Sequence, residues 1–524
     1  MSRLRPSVIL CTVCSLAAWN PSRRLEAQDT ERNIDETTRS AIFLLQMSMQ
    51  VHRKGQHHLL QRALRQLEDP ALNPLFRELA QHTHPDLQMH GILGLAECNK
   101  DRKLDLVRVA ELRPPPRQAE LISHAMDSGL LDNEQAAQLM KWSDQIDLAV
   151  KVLVAAPLIR DGELEDKSIL KEATQSDNVA RRSLAALLLL QHGESSARWH
   201  LDQLNEANEA ESNKIRMMLL NTADRFALTA AGPWAVDVAN ELEAPSRLMI
   251  EALRVALRLG TPDAEVVWQR KFDATTDTID RTRLALVALT VASQLPVGLF
   301  DSIQASQQPL IQQIGATGAA IRRDERIPEE VTKLMKMHHT IANEWSLRYA
   351  KRHASAEDAP AILREIILAY EGPERNRALR LDNAMLATQL LFDRDPGHAA
   401  EAVGVLLTSS QTSRRLKNGI LFGLIRCGPG TDAHEAVTRL EPFRHQLSKS
   451  LRLLLIAKHR RSLPRNQLDE LGLLVRGGGL SGPLRIQAAW RYLVLTEQVD
   501  VALKEVLHQP ITLHAEKSRS VNVQ

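Results

Sequence analysis

The stretch Thr83–Glu97, THPDLQMHGILGLAE, constrains this chain more than any other. It opens at a proline turn and gathers Leu87, Ile92, Leu93 and Leu95 with the small residues Gly91, Gly94 and Ala96 into one helix. The phrase returns as SDNVARRSLAALLLL (Ser176–Leu190) and, more loosely, several times more. One short helix of this kind cannot cover its apolar side alone. A chain made of such units must therefore stack them.

Composition agrees with a helical array. Aromatic residues make up 3% of the 524, so Leu and Ala carry most of a 44% hydrophobic content, which favours helix over sheet. No sustained alternation of Val, Ile, Thr and Tyr is present, and the fold class expected is all-α. The length suits either two or three compact domains or one elongated array.

At the N-terminus, Arg3 and Arg5 precede an apolar run from Val8 to Ala18, followed by small and polar residues. This is the pattern of a secretory signal, with cleavage expected after Ala18 or Ala27, and the run is too short to span a bilayer. Cys11 and Cys14 fall inside it, without the small preceding residue that lipid attachment requires. Removing residues 1–27 takes away four arginines and one glutamate, leaving bases and acids almost balanced. No global field draws nucleic acid or an anionic membrane to such a protein. Cys98 and Cys427 sit in apolar helical patterns, as small buried hydrophobes or, alternatively, as the ends of one long-range disulfide.

In chain order, helices are expected over Gln56–Leu67, after Asp69-Pro70, over Asn133–Ile146 with Asp132 as cap, and over Leu148–Ile159. LRPPPR (Leu112–Arg117) is a stiff joint, and Glu329–Arg352 reads as one long basic amphipathic helix. Arg181, Arg247, Arg283, Arg415 and Arg485 each open a Leu/Ala-rich helix, separated by about 34–36 residues or its multiples. Gly260-Thr-Pro-Asp and Gly430-Thr-Asp both place Thr as an N-cap after a glycine stop.

The phrases THPDLQMHGILGLAE, SDNVARRSLAALLLL and GPLRIQAAWRYLVL resemble the second-helix signature of HEAT-type repeats: a turn with Asp or Pro, an Arg, then Ala and Leu at core spacing. The resemblance covers about two-thirds of the chain and is blurred around 114–159 and 304–352. It implies an armadillo-type α-solenoid of an exported bacterial kind, with antiparallel helix pairs stacked into a superhelix whose second helices line a concave face. The implied division is a signal peptide (1–27), an N-terminal helical-repeat array (28–325), a long connecting helix (326–358), C-terminal HEAT-like repeats (359–510) and a disordered tail (511–524). Tetratricopeptide arrays share the period, but their Trp/Gly/Tyr pattern is missing.

The resemblance implies a non-catalytic scaffold that binds a protein partner in the periplasm, envelope or exterior. The residues singled out for contact are Arg414, Arg415, Lys417, Lys449, Arg452, Arg485 and Arg491, a basic stripe suited to a protein or an acidic polymer. No cofactor is expected. The alternative is a metal-assisted enzyme using His82, His84, Asp86 and His90, against which stands the plain reading of a solvated turn. His434-Glu435 begins a zinc-protease motif, but Thr438 stands where its second histidine belongs. The glycine run Arg476–Pro483 lacks the Lys-Ser/Thr of a phosphate-binding loop.

Overall fold

The computed structural model describes residues 34–508 except 51–56, 143–145, 165, 207–208, 244, 338, 353, 356, 369–382, 385, 392–448 and 478–479. The expected signal peptide, tail, Cys427, the Gly430 turn, the His434 motif and Arg414, Arg415 and Lys417 lie outside the described residues. Among the described residues every regular element is helical, and no helix is long and apolar enough to cross a membrane. They fall into two compact units, one within Gln118–Gly423 and one joining Pro6–Arg117 to Leu424–Gln524.

In the first unit the chain repeats one motif: a short first helix, a turn, and a longer second helix. Successive pairs include Asn133–Lys141 with Leu148–Arg160, Ser168–Ala173 with Val179–Gln191, and Gly232–Glu241 with Arg247–Arg258. Ala264–Ala274 with Thr278–Thr290, Val297–Gln304 with Pro309–Arg323, and Ile327–Lys336 with Thr340–Arg352 continue the series. Second helices from Leu148–Arg160 to Pro309–Arg323 pack on one another in chain order, making a continuous row. This is an α-solenoid of stacked helix pairs.

Local sequence explains where the helices begin. Asp132, Asp147, Asn178, Ser246 and Asp277 each cap a helix by accepting a backbone N–H from its first turn. Each cap contributes about 0.5–2 kcal/mol. Between layers the core is Leu, Ala and Val, with fully buried Trp268 stacked on Phe272 and donating its indole N–H to Leu284 O at 2.9 Å. The repeat length also appears in side-chain bonds joining neighbouring pairs. Examples are Asp147 N to Gln118, Arg181 to Asp147 and Arg198 to Asp237, between residues 29 to 39 apart.

Two pairs bring their backbones into direct contact. A Cβ at Gly91 would overlap the Ala80 backbone, and one at Gly94 would overlap the Phe76 ring. Gly315 and Gly318 stand in the same relation to Gln304 and Phe300. In both cases a proline opens the second helix, the glycines follow six and nine residues later, and the phenylalanine precedes the proline by nine. The motif P-x5-G-x-x-G thus marks the same close approach in both units, including the region around 304–352 where the HEAT-type resemblance is blurred.

The second unit is built from both ends of the chain. Glu36–Ser48 packs on Arg465–Arg476, Gly482–Leu495 and Val499–His508, and His57–Arg65 packs between Gly482–Leu495 and Pro85–Cys98. Trp490, fully buried, donates to Asp69 Oδ2 at 2.8 Å, and Arg476 donates to the Thr37 hydroxyl. Gly472 lies flat against Thr37, where a larger residue would need space the seam lacks.

Several expectations are corrected. Glu329–Arg352 is two helices, Ile327–Lys336 and Thr340–Arg352, because its apolar residues form two stripes that serve the two arms of a pair. The helix expected over Asn133–Ile146 ends at Lys141, where Trp142 turns to extended backbone. Thr261 is no cap: its hydroxyl lies against Gly232, and Asp263, at φ 66°, stands at the start of Ala264–Ala274. Arg283 lies in the second turn of its helix, which starts at Thr278.

Candidate interaction surface

Charge is unevenly divided between the two helix layers of the first unit. From Val179 to Arg352 their Arg and Lys outnumber Asp and Glu by more than two to one, while on the intervening first helices acids outnumber bases. A protein with near-zero net charge is therefore divided between its two helix layers.

The described members of the predicted stripe hold their own fold together. Arg485 Nε donates to Val475 O at 2.7 Å, at the C-terminal turn of Arg465–Arg476. Arg491 Nε donates to Ala457 O at 2.9 Å, and its Nη2 to Arg460 O at 3.1 Å, closing the end of Lys449–His459. A guanidinium there satisfies carbonyls that have no intrahelical donor and meets the negative end of the helix dipole. Burial pulls both guanidinium pKa values down, with Asp69 opposing at Arg491. Lys449 pairs with Glu470 at 2.7 Å, and Arg452 Nε is buried without a hydrogen-bond partner.

The histidine cluster is likewise dispersed among structural tasks. His82 Nδ1 accepts from His84 N at 2.9 Å, and His84 Nδ1 accepts from Asp86 N at 3.3 Å, so both rings order the turn into Pro85–Cys98. Asp86 pairs with Arg117 at 2.9 Å. His90 Nδ1 lies 3.2 Å from Arg65 Nη1, whose guanidinium is held by both oxygens of Glu97. Burial, then the neighbouring His84, lowers the His82 pKa against Glu78. No group of three or more His, Cys, Asp or Glu side chains stands in a metal-holding arrangement among the described residues.

Sequence reading missed a charged network inside the second-helix row. Asp224, with a side chain fully buried on Glu209–Phe226, accepts from Arg254 Nη2 at 3.0 Å and from Arg258. Glu251 also holds Arg254, at 2.6 and 3.1 Å. Burial opposes the charge on Arg254, but these two carboxylates overcome it and raise its pKa. The one signal in the sequence was an Arg pair at i, i+4 (Arg254 and Arg258) lying 30 and 34 residues beyond Asp224, one repeat away.

No family model matches the sequence, and no curated protein matches it. Among solved structures, the chain is similar to one described as a homology model of the full-length AP-3 complex in an intermediate open conformation. The sequence identity is 12% and the TM-score 0.32, over 90% of this chain and 92% of that one.

Proposed function

We propose that this chain is an exported, non-catalytic scaffold that binds a protein partner along its row of second helices. One observation carries the reading: positive charge is concentrated on that row while the apolar core is consumed between the helix layers. A surface of that kind acts through many moderate contacts over its length, as stacked-repeat proteins do.

Photo-crosslinking tests this. Crosslinkers placed at Arg283 and Lys214 on second helices, and at Val266 and Asp237 on first helices, are activated in intact cells. The expected result is one protein adduct common to the second-helix positions and none at the others. Adducts distributed equally over both layers, or a complete absence of protein adducts, would overturn the reading. N-terminal sequencing of the same material is expected to start at Trp19 or Gln28 if the chain is exported, and at Met1 or Ser2 if it is not.

A further inference from the structure

Around Asp224 the second-helix row holds a local surplus of cations. Two helices each present guanidiniums one turn apart: Arg254 and Arg258 on Arg247–Arg258, and Arg348 and Arg352 on Thr340–Arg352. Glu251 takes Nε and Nη2 of Arg254, Asp224 shares that Nη2, and Asp224 takes one nitrogen of Arg258. The Arg258 side chain is still 37% exposed, and Arg348 is 58% exposed while holding Glu344 at 2.7 Å. Arg352 is exposed and makes no hydrogen bond or ion pair to a described residue, yet Arg258, Arg348, Arg254 and Asp224 all lie within electrostatic reach of it. Four guanidiniums thus share three carboxylates, Asp224, Glu251 and Glu344. Burial and the like charges of Arg258 and Arg348 pull the Arg352 pKa below its ordinary value, with Asp224 acting the other way.

We infer that Arg258, Arg348 and Arg352 form a seat for a carboxylate of an acidic peptide segment in the partner protein. The inference rests on the second-helix row being the binding face and names the chemistry that face selects. A carboxylate arriving here supplies the missing counter-charge and relieves repulsion among the arginines. It also finds planar donors that can engage both its oxygens. Asp224 is essential to the arrangement without touching the ligand, because it is fully buried and holds Nη1 of Arg258, leaving Nε and Nη2 of that side chain without a bond to a described residue. The first helices, with slightly more acids than bases, offer the same segment no comparable attraction. The stripe expected from sequence is a weaker candidate, since Arg485 and Arg491 point their donors at helix carbonyls.

The test uses the full-length mature chain and a fluorescent peptide of about twelve residues rich in Asp and Glu, read by anisotropy beside its Asn/Gln counterpart. Arg352→Glu is expected to weaken acidic-peptide binding at least tenfold without lowering the thermal midpoint, because Arg352 bonds to no described residue and the reversed charge relieves its repulsion with Arg258 and Arg348. Lys504→Glu, which alters an exposed cation on Val499–His508, is expected to change the affinity less than twofold. The inference is overturned if Arg352→Glu binds within twofold of the unaltered chain, or if the neutral peptide binds equally well. It is overturned too if inorganic tripolyphosphate displaces the peptide and shows the larger loss in Arg352→Glu, which would assign the seat to phosphate. The crosslinking experiment separates the two readings. Protein adducts on second helices together with an unaffected Arg352→Glu would remove the seat alone, and an Arg352-dependent peptide with no adducts would remove the scaffold reading alone.

Discussion

Replacing Asp69 with alanine should loosen both ends of the chain together. Asp69 does two jobs: Oδ1 accepts Ala71 N at 3.0 Å to cap the turn before Asn73–Ala80, and Oδ2 accepts the indole N–H of fully buried Trp490 at 2.8 Å. Without the carboxylate, the indole donor is left buried and unsatisfied, at a cost of about 1–3 kcal/mol. Loss of the cap adds about 0.5–2 kcal/mol. The sum expected for Asp69→Ala is therefore roughly 1.5–5 kcal/mol. Trp490→Phe removes the donor but keeps most of the apolar bulk, so the double variant should fall short of the sum of the singles by about 1–2 kcal/mol. Native-state hydrogen exchange is the assay, because a chain of two units need not unfold in one step. Protection should fall in Glu36–Ser48 and in Gly482–Leu495 alike, although more than 400 residues separate them in sequence. Singles that add within about 0.3–0.5 kcal/mol, or a loss confined to Asn73–Ala80, would refute the claim that this bond joins the two ends.

Gly94→Ala and Gly318→Ala each force a methyl group against a phenylalanine ring. Each should lower stability by about 1–3 kcal/mol in denaturant titration, whereas Gly298→Ala, which meets open space, should not. Asp161 titrates at about 2 because Arg160 and then Asn133 donate to it. A folded value below the ordinary 3.8 means that its stabilising effect is complete above pH 3.8 and is lost as the pH falls through about 2. Carboxyl NMR should show that low value rising in Asn133→Ala. Burial, then Arg283, lowers the His339 pKa, so folding favours the neutral ring, and this contribution is full above pH 6.5 and declines below it. Arg283→Ala should move the His339 proton titration upward, and an unchanged titration would remove Arg283 as a cause. The Cys98 thiol is pushed up to about 12, chiefly by burial and then by Glu97, so the native chain should resist iodoacetamide at pH 8 and react once unfolded.

Much of the architecture was legible because helix pairs are written locally. Asp132 and the Leu/Ala runs specify where helices start and which side they bury, since capping and amphipathic spacing act over a few residues. The break inside Glu329–Arg352 was harder to see, because no proline or glycine marks it and Met337 continues the apolar pattern. The P-x5-G-x-x-G motif could have been read from sequence, but its reason is a backbone approach between two helices that only packing displays.

Function was less legible for a related reason. An arginine in a sequence carries a charge but not an address. Arg485 and Arg491 read in sequence as a binding stripe, and the fold aims them at helix ends, whereas Arg352, the last residue of the expected basic helix, makes no ion pair with a described residue. By itself the sequence determined an all-helical chain of repeating pairs with little net charge, because those properties follow from composition and from spacing within one or two turns. Tertiary structure alone decided that the last helices pack against the first, and which cations are neutralised by carboxylates one repeat away. Both depend on side chains brought together across tens or hundreds of residues, where no local rule reaches.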